Sequence, residues 1–234
     1  MKPVAVFRHS PTEGPGYFAM YLDNLGIPWR LIRLDEGEAV PATTDAFSGL
    51  CFMGGPMSVN DPLPWVAPVL SLIRAAVDAD VPVIGHCLGG QLMSKALGGV
   101  VSRNPVKEIG WGLVRMEPNA EARHWFGGVG EFLSFHRHGE TFAIPAGAVR
   151  LAGSDYCPNQ AFALGPHLAM QCHVEMTPEL IHAWCADWER ELVSRASASV
   201  QTPQQILEAL DERVQALHRV ADRLYDRWVE GLQR

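Results

Sequence analysis

Cys87, His173 and Glu175 are the residues of this chain whose types and settings could together carry nucleophilic acyl chemistry. Cys87 stands in Gly85-His86-Cys87-Leu88-Gly89-Gly90-Gln91, between a short apolar run, Val81 to Ile84, and apolar residues at helical spacing. That order reads as buried strand, sharp turn, helix. A sulfur at the first turn of a helix meets exposed N–H groups and the positive end of the dipole, which favour the nucleophilic thiolate. A free cysteine is usually inert packing. Here glycine on each side removes the neighbouring Cβ atoms, so the backbone can bend tightly and a substrate can approach, and the setting points to a nucleophile. His173 and Glu175 lie two residues apart after an apolar stretch. Period-2 geometry puts them on one face of a strand, where a carboxylate can fix the tautomer of an imidazole and raise its basicity.

These groups need elements to hold them. The sequence predicts a strand over residues 3 to 8, a helix from Tyr17 to Leu25 stopped by Gly26, and a strand from Trp29 to Leu34. A polar connection, Asp35 to Thr44, leads to a third strand, Ser48 to Met53, which runs straight into Gly54-Gly55-Pro56. A glycine pair at a strand's C-terminal end is where an open α/β sheet builds its ligand site, although a plain turn uses the same residues. An amphipathic helix follows from Trp65 to Ala79, and Pro105 to Met116 reads as a loop entering a strand, with Trp111 more at home in packing. Short alternating segments come at 149–152, 159–164 and 168–172. Thr177 with Pro178 starts a helix running to about Arg195, and 194–202 is a small, polar break. Beyond it Ile206, Leu210, Val214, Leu217, Ala221, Leu224 and Trp228 mark one face of a long helix. The expected architecture is α/β: an open, mostly parallel sheet with helices on both faces over residues 1–195. A C-terminal helical extension, 196–234, would pack on that domain, on a twin subunit or on a partner.

The 234 residues, 47% of them apolar, suffice for one substantial core. A formal charge of −7 with no dense Lys/Arg cluster argues against nucleic acid as a ligand. No signal-peptide core and no run of eighteen apolar residues is found, so a cytoplasmic protein without a membrane span is expected. Five cysteines without a CxxC pair argue against disulfides and a structural zinc. His136, His138 and His173 lack a further ligand at metal spacing, so neither metal nor cofactor is expected.

Three separated pieces, Gly54-Gly55-Pro56, Gly85-His86-Cys87-Leu88-Gly89-Gly90-Gln91 and His173-Val174-Glu175, together and in that order resemble the class I glutamine amidotransferases, the Cys-His-Glu glutaminases, over about residues 3 to 190. The flavodoxin-like fold of that family agrees with the architecture above. Glu108-Ile109-Gly110-Trp111 and His138-Gly139-Glu140-Thr141-Phe142 are similar to the subgroup related to the glutaminase of GMP synthase. The resemblance implies Cys87 as nucleophile, His173 as general acid/base and Glu175 as the group that orients it. It further implies the N–H groups of Gly55 and Leu88 as oxyanion donors, with Gly54 beside them, and Gln91 and His138 as substrate-pocket residues. Val174 stands where the family often has Pro, Cys172 where an aromatic is common, and Arg137 where relatives often carry Trp. No synthetase segment follows in this sequence. The expectation is therefore a stand-alone glutaminase that passes ammonia to a separate acceptor enzyme, with a homodimer as a further option. A γ-glutamyl peptidase or hydrolase using the same triad, and a non-catalytic regulatory or binding subunit, are the rival expectations.

Overall fold

Alternation along the first strands decides the layering of the molecule. Val4 and Val6 of β1 (Val4–Arg8) face one apolar cluster, and Ala5 and Phe7 between them face another, so both sides of the sheet must be covered. The computed structural model, which describes residues 1–194 and 196–233, covers them with helices. After β1 the chain forms α1 (Gly16–Asn24), β2 (Trp29–Arg33), β3 (Gly49–Phe52), α2 (Val66–Asp78), β4 (Val83–His86) and α3 (Leu88–Ala96). It continues through β5 (Val101–Met116), α4 (Ala120–Phe126), β6 (Glu131–Phe142), β7 (Val149–Ser154), β8 (Ala161–Leu164) and β9 (His167–Met170). Helices α5 (Pro178–Ser194), α6 (Pro203–Leu207) and α7 (Leu210–Val229) complete it.

The strands form one open nine-stranded sheet in the order β2-β1-β3-β4-β9-β8-β7-β5-β6. From β2 to β9 every neighbouring pair is parallel, and β8, β7, β5 and β6 extend that α/β sheet as antiparallel strands. The parallel C-terminal ends of β1, β3, β4 and β9 therefore open onto one edge, the place where such sheets build ligand sites. Helices α2 and α3 pack on one face, and α1, α5 and α7 on the other.

Four boundaries differ from the sequence reading. The long strand β5 begins at Val101 rather than after a loop at 105, and its ladder with β6 breaks between Arg103 and Glu108, a bulge that accommodates Pro105. Strand β9 ends at Met170, so His173 and Glu175 lie beyond it. There the His173 N–H donates to the Phe135 carbonyl of β6 at 2.8 Å, which draws the chain out of the parallel ladder. The single helix expected from 206 to 228 is two, because Ala209 takes a left-handed conformation (φ 50°) between α6 and α7. Helix α6 starts on a capping box, Thr202 with Gln205. Helix α4 carried no expectation and is capped by the Asn119 side chain accepting from the Ala122 N–H.

The apolar stripe of α7 is buried against α1, α4 and β6 of the same chain. Leu217, Ala221, Leu224, Tyr225 and Trp228 are at most 1% exposed. At about 1.5–3 kcal/mol for each large apolar side chain, this burial anchors the C-terminus. Among the described residues no helix is long and apolar enough to cross a membrane.

Candidate active site

Backbone sterics build the position of Cys87. Cys87 joins β4 to α3 with φ 50° and ψ −105°, a strained conformation for a residue with a Cβ. Its N–H donates to the Met170 carbonyl at 2.8 Å, and its carbonyl accepts from the Gln91 N–H at 3.0 Å, so both peptide groups are fixed. A Cβ on Gly85 would lie 2.5 Å from the Gly89 backbone, and one on Gly89 would collide with the Phe52 carbonyl. The two flanking glycines thus let strand and helix approach, as the sequence reading required. Cys87 is 6% exposed and lines a cleft of about 790 Å³. Its sulfur receives the Gln171 Nε2–H at 3.5 Å and lies 3.7 Å from the Arg137 carbonyl.

Side chains, by contrast, build the position of His173. Its Nδ1 is 2.7 Å from Glu175 Oε1, so the pair meets although both residues lie outside a strand. Its ring packs edge-on against Trp184 of α5, whose indole N–H donates to the Thr12 carbonyl at 2.8 Å and ties α5 to the β1–α1 loop. The N–H of Tyr17 donates to the Glu175 carbonyl at 2.8 Å, so the first turn of α1 holds the backbone of the carboxylate. Among the described residues Nε2 has no closed hydrogen bond. Burial alone would lower the His173 pKa, but the Glu175 carboxylate and the Cys87 sulfur outweigh it and raise the imidazole well above its ordinary value. Burial would raise the Glu175 carboxyl, and the opposing pull of His173 and His86 holds it at about 2. The sulfur thus lies near enough to the imidazole to add to that shift.

Gly55 and Leu88 come together at the cleft: a Cβ on Gly55 would lie 2.6 Å from Leu88 Cδ2. Among the described residues neither the Gly55 N–H nor the Leu88 N–H has an acceptor, so both donors stand open. Gln91 lines the cleft and donates its Nε2–H to Gln171 Oε1 at 3.1 Å. Gly54 is close to the site for a different reason, since a Cβ there would collide with Glu13 Oε2 and lie 3.2 Å from His173 Cε1.

His138 also lines the cleft, but both of its ring nitrogens are engaged, Nδ1 3.0 Å from the Glu140 carbonyl and Nε2 2.9 Å from Glu108 Oε2. Glu108 accepts in addition from Ser154 (2.7 Å) and Gln160 (2.8 Å). Burial opposes that charge, yet the His138 hydrogen bond and the nearby His136 hold the carboxyl below its usual range. Glu108, His136 and His138 offer donor atoms within 4.8 Å of one another, a trio that two separate strands bring together. The His138–Glu108 contact ties β6 to β5 next to Arg137, whose carbonyl faces the sulfur. Arg137 itself stacks on Trp188, its guanidinium carbon 3.0 Å from the ring centre, at the position where relatives often carry Trp.

Two polar residues at the site escaped the sequence reading, Gln171 and Glu13. Gln171 was detectable as a fully buried-looking amide interrupting an apolar run. Glu13 sits among Pro and Gly in what reads as solvated loop, and nothing local marks it.

The family model for class I glutamine amidotransferases matches residues 18–185. The glutamine amidotransferase-like protein YfeJ of Salmonella typhimurium is 31% identical over 191 residues, covering 79% of this chain and 80% of that protein. A glutamine-hydrolyzing GMP synthase of Aromatoleum aromaticum is 30% identical over 139 residues, which are 56% of this chain and 26% of the longer protein. A crystal structure described as a glutamine amidotransferase from Methylobacillus flagellatus superimposes with a TM-score of 0.98 at 44% identity, over 100% of this chain and 96% of that one. With the elbow, the facing imidazole and the two open amides already in place, these matches make the chain a member of the class I glutamine amidotransferase family.

Proposed function

We propose that this protein is a glutaminase that hydrolyses the side-chain amide of glutamine through a thioester on Cys87 and releases ammonia for a separate acceptor enzyme. The observation that carries this reading is the convergence of Cys87 and the Glu175-bound His173 beneath one cleft. The sulfur attacks the amide carbon as a thiolate paired with the His173 imidazolium. The oxyanion that forms is stabilised by the Gly55 and Leu88 N–H groups, each of a kind that typically contributes about 10²–10³ in rate. His173 gives its proton to the departing nitrogen, the C–N bond breaks, and ammonia leaves a γ-glutamyl thioester. Neutral His173 then takes a proton from water, the resulting nucleophile attacks the thioester, and glutamate leaves as the sulfur is restored. Glu175 holds the Nδ1–H tautomer throughout. Replacing Cys87 by Ala should abolish ammonia release from glutamine while the protein stays folded; a Cys87→Ala protein that still releases it overturns the reading.

A second reading has one observation in its favour. The cleft of about 790 Å³ is of the size that holds drug-sized ligands, several times larger than free glutamine. A γ-glutamyl peptide or conjugate would fill it, with the same triad and an amine in place of ammonia as leaving group. Comparing kcat/KM for glutamine with that for γ-glutamyl dipeptides separates the two, and a higher value for the dipeptides would favour the hydrolase.

A further inference from the structure

Glu13 is a buried carboxylate beside the triad that the sequence of steps above does not use. It sits in the β1–α1 loop, 4% exposed, where its N–H donates to the Ser10 carbonyl at 3.1 Å and the turn folds the side chain inward. Its Oε2 occupies the space that a Cβ on Gly54 would take, and His173 Cε1 lies 3.2 Å from that same point. The carboxylate and the Cε1 edge of the imidazole therefore both border the place of the missing Gly54 side chain, while Glu175 holds the Nδ1 edge. An ionised carboxylate with so little exposure is costly unless a cation lies beside it, and the charged partners facing it are His173 and Arg137, with Glu175 opposing.

We propose that Glu13 is a positioning residue: its carboxylate, admitted to the Cε1 edge of His173 by the missing side chain of Gly54, supplies a second negative charge that favours the His173 imidazolium and hence the thiolate of Cys87. The proposal rests on the reading of Cys87 and His173 given above. The remaining titratable neighbours of His173 do not supply that charge. His86, whose Nε2 lies 3.2 Å from the Tyr225 hydroxyl, and His136 are both lowered by burial and stand neutral near pH 7. Burial also raises the Glu13 carboxyl itself, against the pull of His173 and Arg137, so its charge depends on the imidazolium it supports.

The test is the pH dependence of Cys87 alkylation by iodoacetamide, followed by intact mass and peptide mapping, in the wild-type protein, Glu13→Gln and Glu13→Asp. In the wild type the rate should rise through a midpoint well below that of an ordinary thiol. Glu13→Gln keeps the volume and removes the charge, and its midpoint should move up by about one pH unit, so the rate on the acid limb falls about tenfold. Its kcat should fall by a similar factor with KM within about twofold, and Glu13→Asp should recover most of both. A folded Glu13→Gln protein with an unshifted midpoint overturns the proposal while leaving the thioester reading intact. A wild-type protein with no low-pH limb at Cys87 overturns both. Should the Gln variant fail to fold, the wild-type His173 Cε1–H resonance decides. An acid titration step beyond the one caused by Glu175 supports the proposal, and a single step overturns it.

Discussion

The two halves of the reactive pair are held by different physics. At the end of β4 the position of Cys87 follows from backbone contacts alone: Gly85 against Gly89, Gly89 against the Phe52 carbonyl, and peptide hydrogen bonds to Met170 and Gln91. Past the end of β9 the position of His173 follows from side chains borrowed from elsewhere: Glu175, Trp184, Glu13, and a loop tied down through Thr12 and Tyr17. The first arrangement is rigid because a collision has no soft alternative. The second is tunable because charges can be added or removed one at a time. A nucleophile that must attack from one direction suits the former, and a group that must change protonation twice per turnover suits the latter.

Crossed substitutions break or sharpen this contrast. The largest effect belongs to Gly89→Ala, whose Cβ would strike the Phe52 carbonyl, a backbone atom that cannot rotate away. It should destabilise the protein by about 3 kcal/mol, visible as a fall in Tm of roughly 6–12 °C, and abolish ammonia release with it. Glu175→Gln should do the reverse. Removing the carboxylate at Nδ1 costs about 10²–10⁴ in kcat while Tm moves little, since the amide fills the same space. If Glu175→Gln instead unfolded the protein and Gly89→Ala left it active, the contrast would be wrong on both sides.

The remaining effect is a dependence of stability on pH, which acts on folding rather than on turnover. His9, His136 and His167 are each lowered by burial to about 4. Between about pH 6.5 and 4 the unfolded chain therefore holds protons that these three groups refuse in the folded chain, so their contribution to stability is full above pH 6.5 and declines as pH falls through that window. Each group contributes at most about 3 kcal/mol, and Tm measured from pH 7.5 to 4.5 should drop accordingly. His136→Gln should flatten the curve; an unchanged slope would mean that another group takes up the proton.

The sequence made the elbow readable because everything it needs lies within seven residues. Glycine, cysteine and glycine at fixed spacing between a β-branched run and a helical pattern describe a strand–turn–helix by local sterics. The same holds for β1, α1 and β2, whose ends lie within a few residues of the predicted ones. His173 and Glu175 were identified as a pair, but on a strand that stops at Met170, because the pull of the Phe135 carbonyl comes from a strand some forty residues upstream. The bulge at Arg103–Glu108 and the break at Ala209 are likewise set by distant packing. Glu13 reaches the site only when the β1–α1 loop folds over Gly54 and under Trp184, a meeting of three segments far apart in the chain. No spacing rule reports such a contact. His138 shows a different limit: it lies in a recognisable motif and lines the cleft, but the engagement of its nitrogens by Glu108 and Glu140 comes from contacts no motif reports.

The central claim is that the sulfur at 87 works with the imidazole at 173 on a γ-glutamyl carbonyl. Mass spectrometry after exposure to a glutamine-mimicking chloroketone tests it most directly. One equivalent should attach to Cys87 alone among the five cysteines, excess glutamine should protect against it, and His173→Ala should slow it by about two orders of magnitude. Label spread over Cys51, Cys157, Cys172 or Cys185, or a His173→Ala protein that reacts at the wild-type rate, would contradict the account.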